Sequence, residues 1–248
     1  MADLVFRNIA PTDAIDAFGQ RLASPSPSYS WLDVFDQMHA QSFTVAKSAG
    51  FDILDDISSA LDDALKNGTT FQDFAKQLQP ILADKGWWGR GPAFDPISGT
   101  LNDAQLGSLR RLQTIFDTNM RVSYQAGQWA GIQRNISDQP YLMYDHTTSA
   151  HPRAEHLAWD GTALPADDPW WDTHYPPNGW GCKCGVIALS KRQYDQMSAS
   201  GLITTSAPKT IWQIFTNART GETSRVPAGI DPGFGYNVGK AFLEQLAA

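Results

Sequence analysis

Apolar positions recur at helical spacing through the first half of the chain and lose that period in the second. Ala10-Pro11-Thr12-Asp13 opens a short helix with apolar face Ala14, Ile15 and Phe18, its polar residues ready for the first backbone N–H groups. Ser24-Pro25-Ser26-Pro27-Ser28 breaks it as a linker. From Trp31 the spacing turns helical again through Phe35, Met38, Phe43, Ala46, Leu54, Ile57, Leu61 and Leu65, with an interruption near Gly50. Asn67-Gly68 reads as its stop, because Gly accepts the left-handed conformation after a last turn. Thr69-Thr70 begins another helix through Phe71, Phe74, Leu78, Ile81 and Leu82. Residues 86–100, punctuated by Gly and Pro around Trp87-Trp88, predict an ordered, aromatic-anchored loop. Asn102-Asp103 caps a long helix carrying Leu106, Leu109, Leu112, Phe116, Met120, Trp129 and Ile132. Such stripes serve burial first.

Beyond residue 135 the pattern is short-range. Tyr141–Tyr144, Gly185–Leu189 and Thr210–Phe215 read as strands, while 146–184 is nearly all turn formers, His, Trp and Pro. A stretch with so little regular structure of its own needs something else to order it. A Trp cluster or a metal are the candidates. The division predicts an α+β protein, with a helical region over 1–135 and a compact, turn-rich, zinc-stabilised module over 136–248.

Composition sharpens that division. The chain has 248 residues, 19 Lys+Arg, 26 Asp+Glu and a net charge of −7. That is too acidic for a protein whose whole surface grips nucleic acid, although a local basic stripe is allowed. Both Cys, four of the five His and five of the nine Trp lie after residue 135. No stretch approaches the ~18–20 apolar residues of a membrane helix. The start, Met1-Ala2-Asp3-Leu4, lacks the pattern of a secretion signal, so assembly in the cytosol is expected.

The residues able to carry chemistry are His146, His151, His156 and His174 with Cys182-Lys183-Cys184. A disulfide across one intervening residue is strained, and two cysteines in a cytosolic chain point elsewhere. Thiolate and imidazole are zinc's preferred donors, and four of them close a structural site. Gly181 and Gly185 let the backbone bend so that both cysteines reach one metal. Cys182 and Cys184 anchor the expected site, His156 joins them, and the fourth ligand is His174, His151 or Asp145. Two catalytic readings compete: a Cys–His nucleophile pair, and a metal-dependent hydrolase using Asp145, His151, His156 and Asp160. No phosphate-binding loop, dinucleotide fingerprint or nucleophile elbow occurs. Arg110-Arg111, Arg121 and Arg134 on the long helix read as a solvated face, with contact to packaged DNA as the sharper alternative.

One group of motifs resembles a known family. Arg153-Ala154-Glu155-His156-Leu157-Ala158-Trp159-Asp160-Gly161 is similar to an R-x-x-H-x-x-x-[DN]-G signature. Asp167-Asp168-Pro169-Trp170-Trp171 follows, then Tyr175-Pro176-Pro177-Asn178-Gly179-Trp180-Gly181-Cys182-Lys183-Cys184. Together with Phe43–Lys47, Gly86–Gly89 and the closing Asp231–Asn237, this order resembles phage Mu F-like minor head proteins, the head morphogenesis proteins of tailed phages. Lys183 stands where that family commonly has Arg, which keeps the charge but loses the planar donor fork. The resemblance implies a non-enzymatic virion protein, assembled in the host bacterial cytoplasm into the head, with portal and major capsid proteins as partners and no membrane. The expected docking surface is the loop bearing Trp170, Trp171, Tyr175 and Trp180, where buried aromatics often dominate affinity. The alternative is that these rings fill the module's own core.

Overall fold

The computed structural model describes residues 11–146, 149 and 151–247. Helices α1 (Thr12–Leu22), α2 (Met38–Gln41), α3 (Leu54–Asn67) and α4 (Phe71–Asp84) come first. A hairpin of β1 (Arg90–Asp95) and β2 (Thr100–Gln105) leads into the long helix α5 (Leu109–Arg134). As the sequence predicts, α3 stops at Gly68 in the left-handed region, and the Thr70 side chain caps α4 by accepting from the Asp73 N–H.

The first half departs from the sequence reading in two places. The apolar stripe from Trp31 to Gly50 is irregular apart from the single turn of α2. Local polar groups compete for its backbone. The Ser28 N–H donates to Ser48 Oγ at 3.0 Å, and the Ser28 and Thr44 hydroxyls meet at 2.8 Å. Val34, Phe43 and Val45 are buried all the same. The predicted 86–100 loop instead holds β1 and the first residue of β2, and the expected helix cap at Asn102-Asp103 is an error. Those two residues pair with Ala93 and Pro92 in the hairpin. The cap of α5 is Ser108, whose Oγ accepts from the Arg111 N–H at 3.2 Å.

After α5 come β3 (Tyr141–Asp145), α6 (Ala154–Trp159), β4 (Ala163–Pro165), α7 (Trp171–His174), β5 (Gly185–Leu189) and α8 (Lys191–Ala199). The antiparallel pair β6 (Trp212–Thr216) and β7 (Thr223–Pro227) and helix α9 (Val238–Ala247) close the chain. Strands β4, β3 and β5 form an antiparallel sheet with β3 in the middle. Leu142 and Tyr144, two apart on one face of β3, are fully buried.

Burial divides into two cores. One gathers Phe18, Ile57, Leu61, Phe74, Leu78, Trp87 and Leu112. The other gathers Trp129, Leu142, Tyr144, Trp159, Trp171, Tyr175 and Phe242 around the cysteines. Helix α5 serves both, with Leu112 in the first and Ala126, Trp129 and Ile132 in the second. The halves are also clasped at their rim. Arg219, in the β6–β7 turn, pairs with Asp33 at 2.7 Å and with Asp95 at 2.6 Å. Phe35 stacks on Phe215 at 5.4 Å, and Trp31 meets Trp180 edge-on at 6.1 Å.

Candidate metal centre

The stretch between 146 and 184 holds α6, β4 and α7, and what these short elements bring together is a buried group of His156, Cys182 and Cys184. One ligand atom from each lies within 4.8 Å of the others. His156 Nδ1 is 3.5 Å from Cys184 Sγ and 3.8 Å from Cys182 Sγ. The opposite ring nitrogen, Nε2, is 2.8 Å from the carbonyl oxygen of Gly229. A carbonyl only accepts, so Nε2 carries the proton and Nδ1 presents a lone pair to the sulfurs. In metal sites a contact of this kind fixes the tautomer of a ligating imidazole.

The two thiols interact directly. Hydrogen bonding from Cys184 pulls the Cys182 thiol down against the opposing effect of burial, while Cys184, as the donor, is pushed up. Burial pushes the Tyr144 hydroxyl up, so it stays protonated and donates to Asn178 Oδ1 at 2.9 Å.

The closing segment of the chain locks this arrangement from the other side. Arg153, just before α6, pairs with Asp231 at 2.8 Å and donates to the Trp180 carbonyl at 3.1 Å. Asp231 also accepts from the Trp180 N–H at 2.8 Å. A Cβ on Gly179 would collide with both partners of this ion pair, which explains the Gly in Asn178-Gly179. The R-x-x-H spacing thus sends Arg153 to Asp231 and His156 to Gly229, holding the tail over the cysteine turn.

The other residues singled out by sequence fall elsewhere. His174 is buried but stands outside the donor group. Its Nδ1 lies 2.8 Å from Thr173 Oγ1 and 3.2 Å from the Trp170 carbonyl, and its ring stacks on Trp170 at 4.4 Å. His151 is exposed, and Asp145 ends β3 opposite Gly185. Asp160 accepts from the His146 N–H, so the four hydrolase candidates are not gathered around one point. His146, not among the expected fourth ligands, also stands outside the three-residue donor group, but its Nδ1 lies 3.4 Å from Cys184 Sγ. The register carries the signal, since Asp145 faces Gly185 and one further step sets His146 beside Cys184.

Of the aromatic loop, Trp170, Trp171 and Tyr175 are buried and only Trp180, 38% exposed, reaches the surface. Trp171 Nε1 donates to the Pro165 carbonyl at 3.0 Å and the Tyr175 hydroxyl to the Gln125 carbonyl at 2.8 Å. These three rings fill the module's core, and a partner would meet them only if that core opened.

Residues 55–187 match the family described as Phage Mu protein F like protein. The chain belongs to the phage Mu F-like family. It is 36% identical over 225 residues to the Mu-like prophage FluMu F protein of Haemophilus influenzae, covering 86% of this chain and 53% of that protein. It is 33% identical over 244 residues to the Putative capsid assembly protein F of Escherichia phage Mu, covering 94% of this chain and 55% of that protein. This Mu F-like chain therefore spans about half the length of the curated relatives it matches. No solved structure matches it. Among the described residues, no helix is long and apolar enough to cross a membrane.

Proposed function

We propose that this chain is a minor capsid protein of a tailed phage, acting in head morphogenesis by docking on portal or shell proteins. The relationship to a protein named for capsid assembly, running through nearly all of the chain, carries this reading. Its centre is structural: one zinc ion held by Cys182, Cys184 and His156, with His146 drawn in from beside Cys184 as the fourth ligand, fixes the turn-rich stretch between β3 and β5. A fourth protein ligand would leave no position for an activated water, which favours a site that holds the fold over one that hydrolyses.

The docking face is the outward side of β6 together with Trp180. Ile214 is 80% exposed, and Trp212 shares its face under the Arg225 guanidinium, 4.8 Å above the ring. Phe215, on the opposite face, packs on Phe35, so the hairpin is held rigid while its outer side is free. Rigid aromatic and aliphatic anchors of this kind supply most of an interface's affinity.

The test is quantitative mass spectrometry of purified procapsids and mature heads. A reproducible low copy number relative to portal and shell is expected. Absence from both particles overturns the reading.

A further inference from the structure

A cavity of about 430 Å³ shares only Trp180 with the cysteine turn. It opens between the C-terminal end of α1, the N-terminal half of α5, the 44–46 segment and the rings of Trp31 and Trp180. Its ionisable lining is Arg21, His39, Arg110 and Arg111, without one carboxylate, in a chain whose net charge is −7. The remaining walls are partly apolar, from Val45, Ala46 and Ile115.

The cationic groups lack counter-charge. Arg21 is only 7% exposed, donates through Nε to the His39 carbonyl and through Nη2 to Asn119 Oδ1, and leaves Nη1 with no partner. Arg111 directs its donors to the main-chain carbonyls of Gln105, Leu106 and Ala46. Among the described residues, Arg21, Arg110 and Arg111 form no ion pair. Burial lowers Arg21, and burial with the neighbouring Arg21 charge lowers His39 to about 4. A buried guanidinium without an anion is costly to hold, and a bound anion removes that cost.

We infer that this cavity is a docking site for an acidic peptide segment of a partner protein, one Asp or Glu side chain beside a large apolar one. Exposed Arg110 stands at the rim, where its planar fork matches a carboxylate, and the apolar walls receive the neighbouring side chain. The volume lies within the range of sites that enclose ligands of this size. A nucleic acid fits less well: a polyanion is repelled by the net charge, and a single recess of this size cannot follow successive phosphates. That the partner is a head protein rests on the assembly reading; the chemistry of the cavity does not.

The 248-residue chain is immobilised and offered two heptapeptide libraries, random except for a central Glu in one and a central Gln in the other. Retention is read by mass spectrometry. The Glu library is expected to be held about tenfold more strongly, Arg110→Glu to abolish that preference, and Thr118→Trp, which fills the cavity, to release both libraries. Circular dichroism checks that both variants fold, and Arg110→Glu alters only an exposed side chain. Equal retention of the libraries, retention of neither, or a preference surviving in Arg110→Glu overturns the inference. So does displacement of the peptides by a short oligothymidine that itself binds more tightly. Such a failure leaves particle copy number untouched, so the two readings fail separately.

Discussion

The imidazole of His156 is held between the Gly229 carbonyl, 2.8 Å from Nε2, and the Cys184 sulfur, 3.5 Å from Nδ1. The tail of the chain therefore chooses the tautomer that faces the thiols. Gly229 has φ +88°, and a Cβ there would come within 2.5 Å of Glu155 Cβ and 2.9 Å of Trp159. Gly229→Ala should cost roughly 1–3 kcal/mol from backbone strain alone. It should also weaken metal retention, because the carbonyl must retreat from Nε2. Urea unfolding with metal analysis of the folded fraction tests both, and an unchanged unfolding midpoint sinks the argument.

Removing the thiolates should be more severe. The Cys182→Ser, Cys184→Ser double variant, and the wild type stripped by a strong chelator, should both lose cooperative melting of the C-terminal module, with a drop of about 10 °C or more. Cobalt substitution distinguishes the fourth ligand. His146→Ala should shift the visible spectrum of the cobalt form, whereas His174→Gln should leave it intact. A stoichiometric zinc content in the double-serine variant would remove the site altogether.

Acid should destabilise the fold through buried neutral histidines. Burial lowers His174 to about 4, below its ordinary value near 6.5. Between those values the unfolded chain binds the extra proton, so stability falls as pH drops through that window and is fully present above it. The contribution is at most on the order of 3 kcal/mol for His174. His39 has the same shift and the same sign. Urea midpoints at intervals from pH 7.5 to pH 4.5 should therefore slope less steeply in His174→Gln than in wild type. Parallel slopes would contradict the assignment.

A second acid-sensitive contact lies lower on the pH scale. The Arg219 guanidinium holds the Asp95 carboxyl well below the usual carboxylate range. Its contribution is present above the unfolded value, near 3.9, and disappears as pH falls toward the folded one. Asp95→Asn should destabilise the protein at neutral pH and flatten the loss below pH 4. Hydrogen exchange at low pH should show the β6–β7 turn releasing first. Protection of that turn equal to wild type in Asp95→Asn would remove the clasp.

On the proposed docking face, Ile214→Glu and Trp212→Ser should leave melting within about 1 °C of wild type, since both side chains face outward. Incorporation into particles should fall severalfold. Normal incorporation with normal stability would move the interface elsewhere.

The sequence disclosed those elements whose burial follows one period. α3 and α4 are such cases, with Ile57, Leu61 and Leu65 on one face and Gly68 and Thr70 as punctuation. It misled where burial and period part company. Phe94 and Leu101 of the β1–β2 hairpin are exposed, so no alternation marked them as strand. The anchors Cys182, Cys184 and His156 were legible as donor types, while His146 required the β3–β5 register and Gly229 required knowing where the tail returns. Whether Trp170 and Trp171 face inward is a matter of packing that residue type alone does not encode.

Helix α5 runs 26 residues, about 39 Å, and gives one end to each core. It works as a single beam under two roofs. Loosening Trp129 where it meets Tyr175 tilts the same rod that seats Leu112 among Leu61 and Phe74. The two halves, however different in composition, cannot be tuned for stability one at a time.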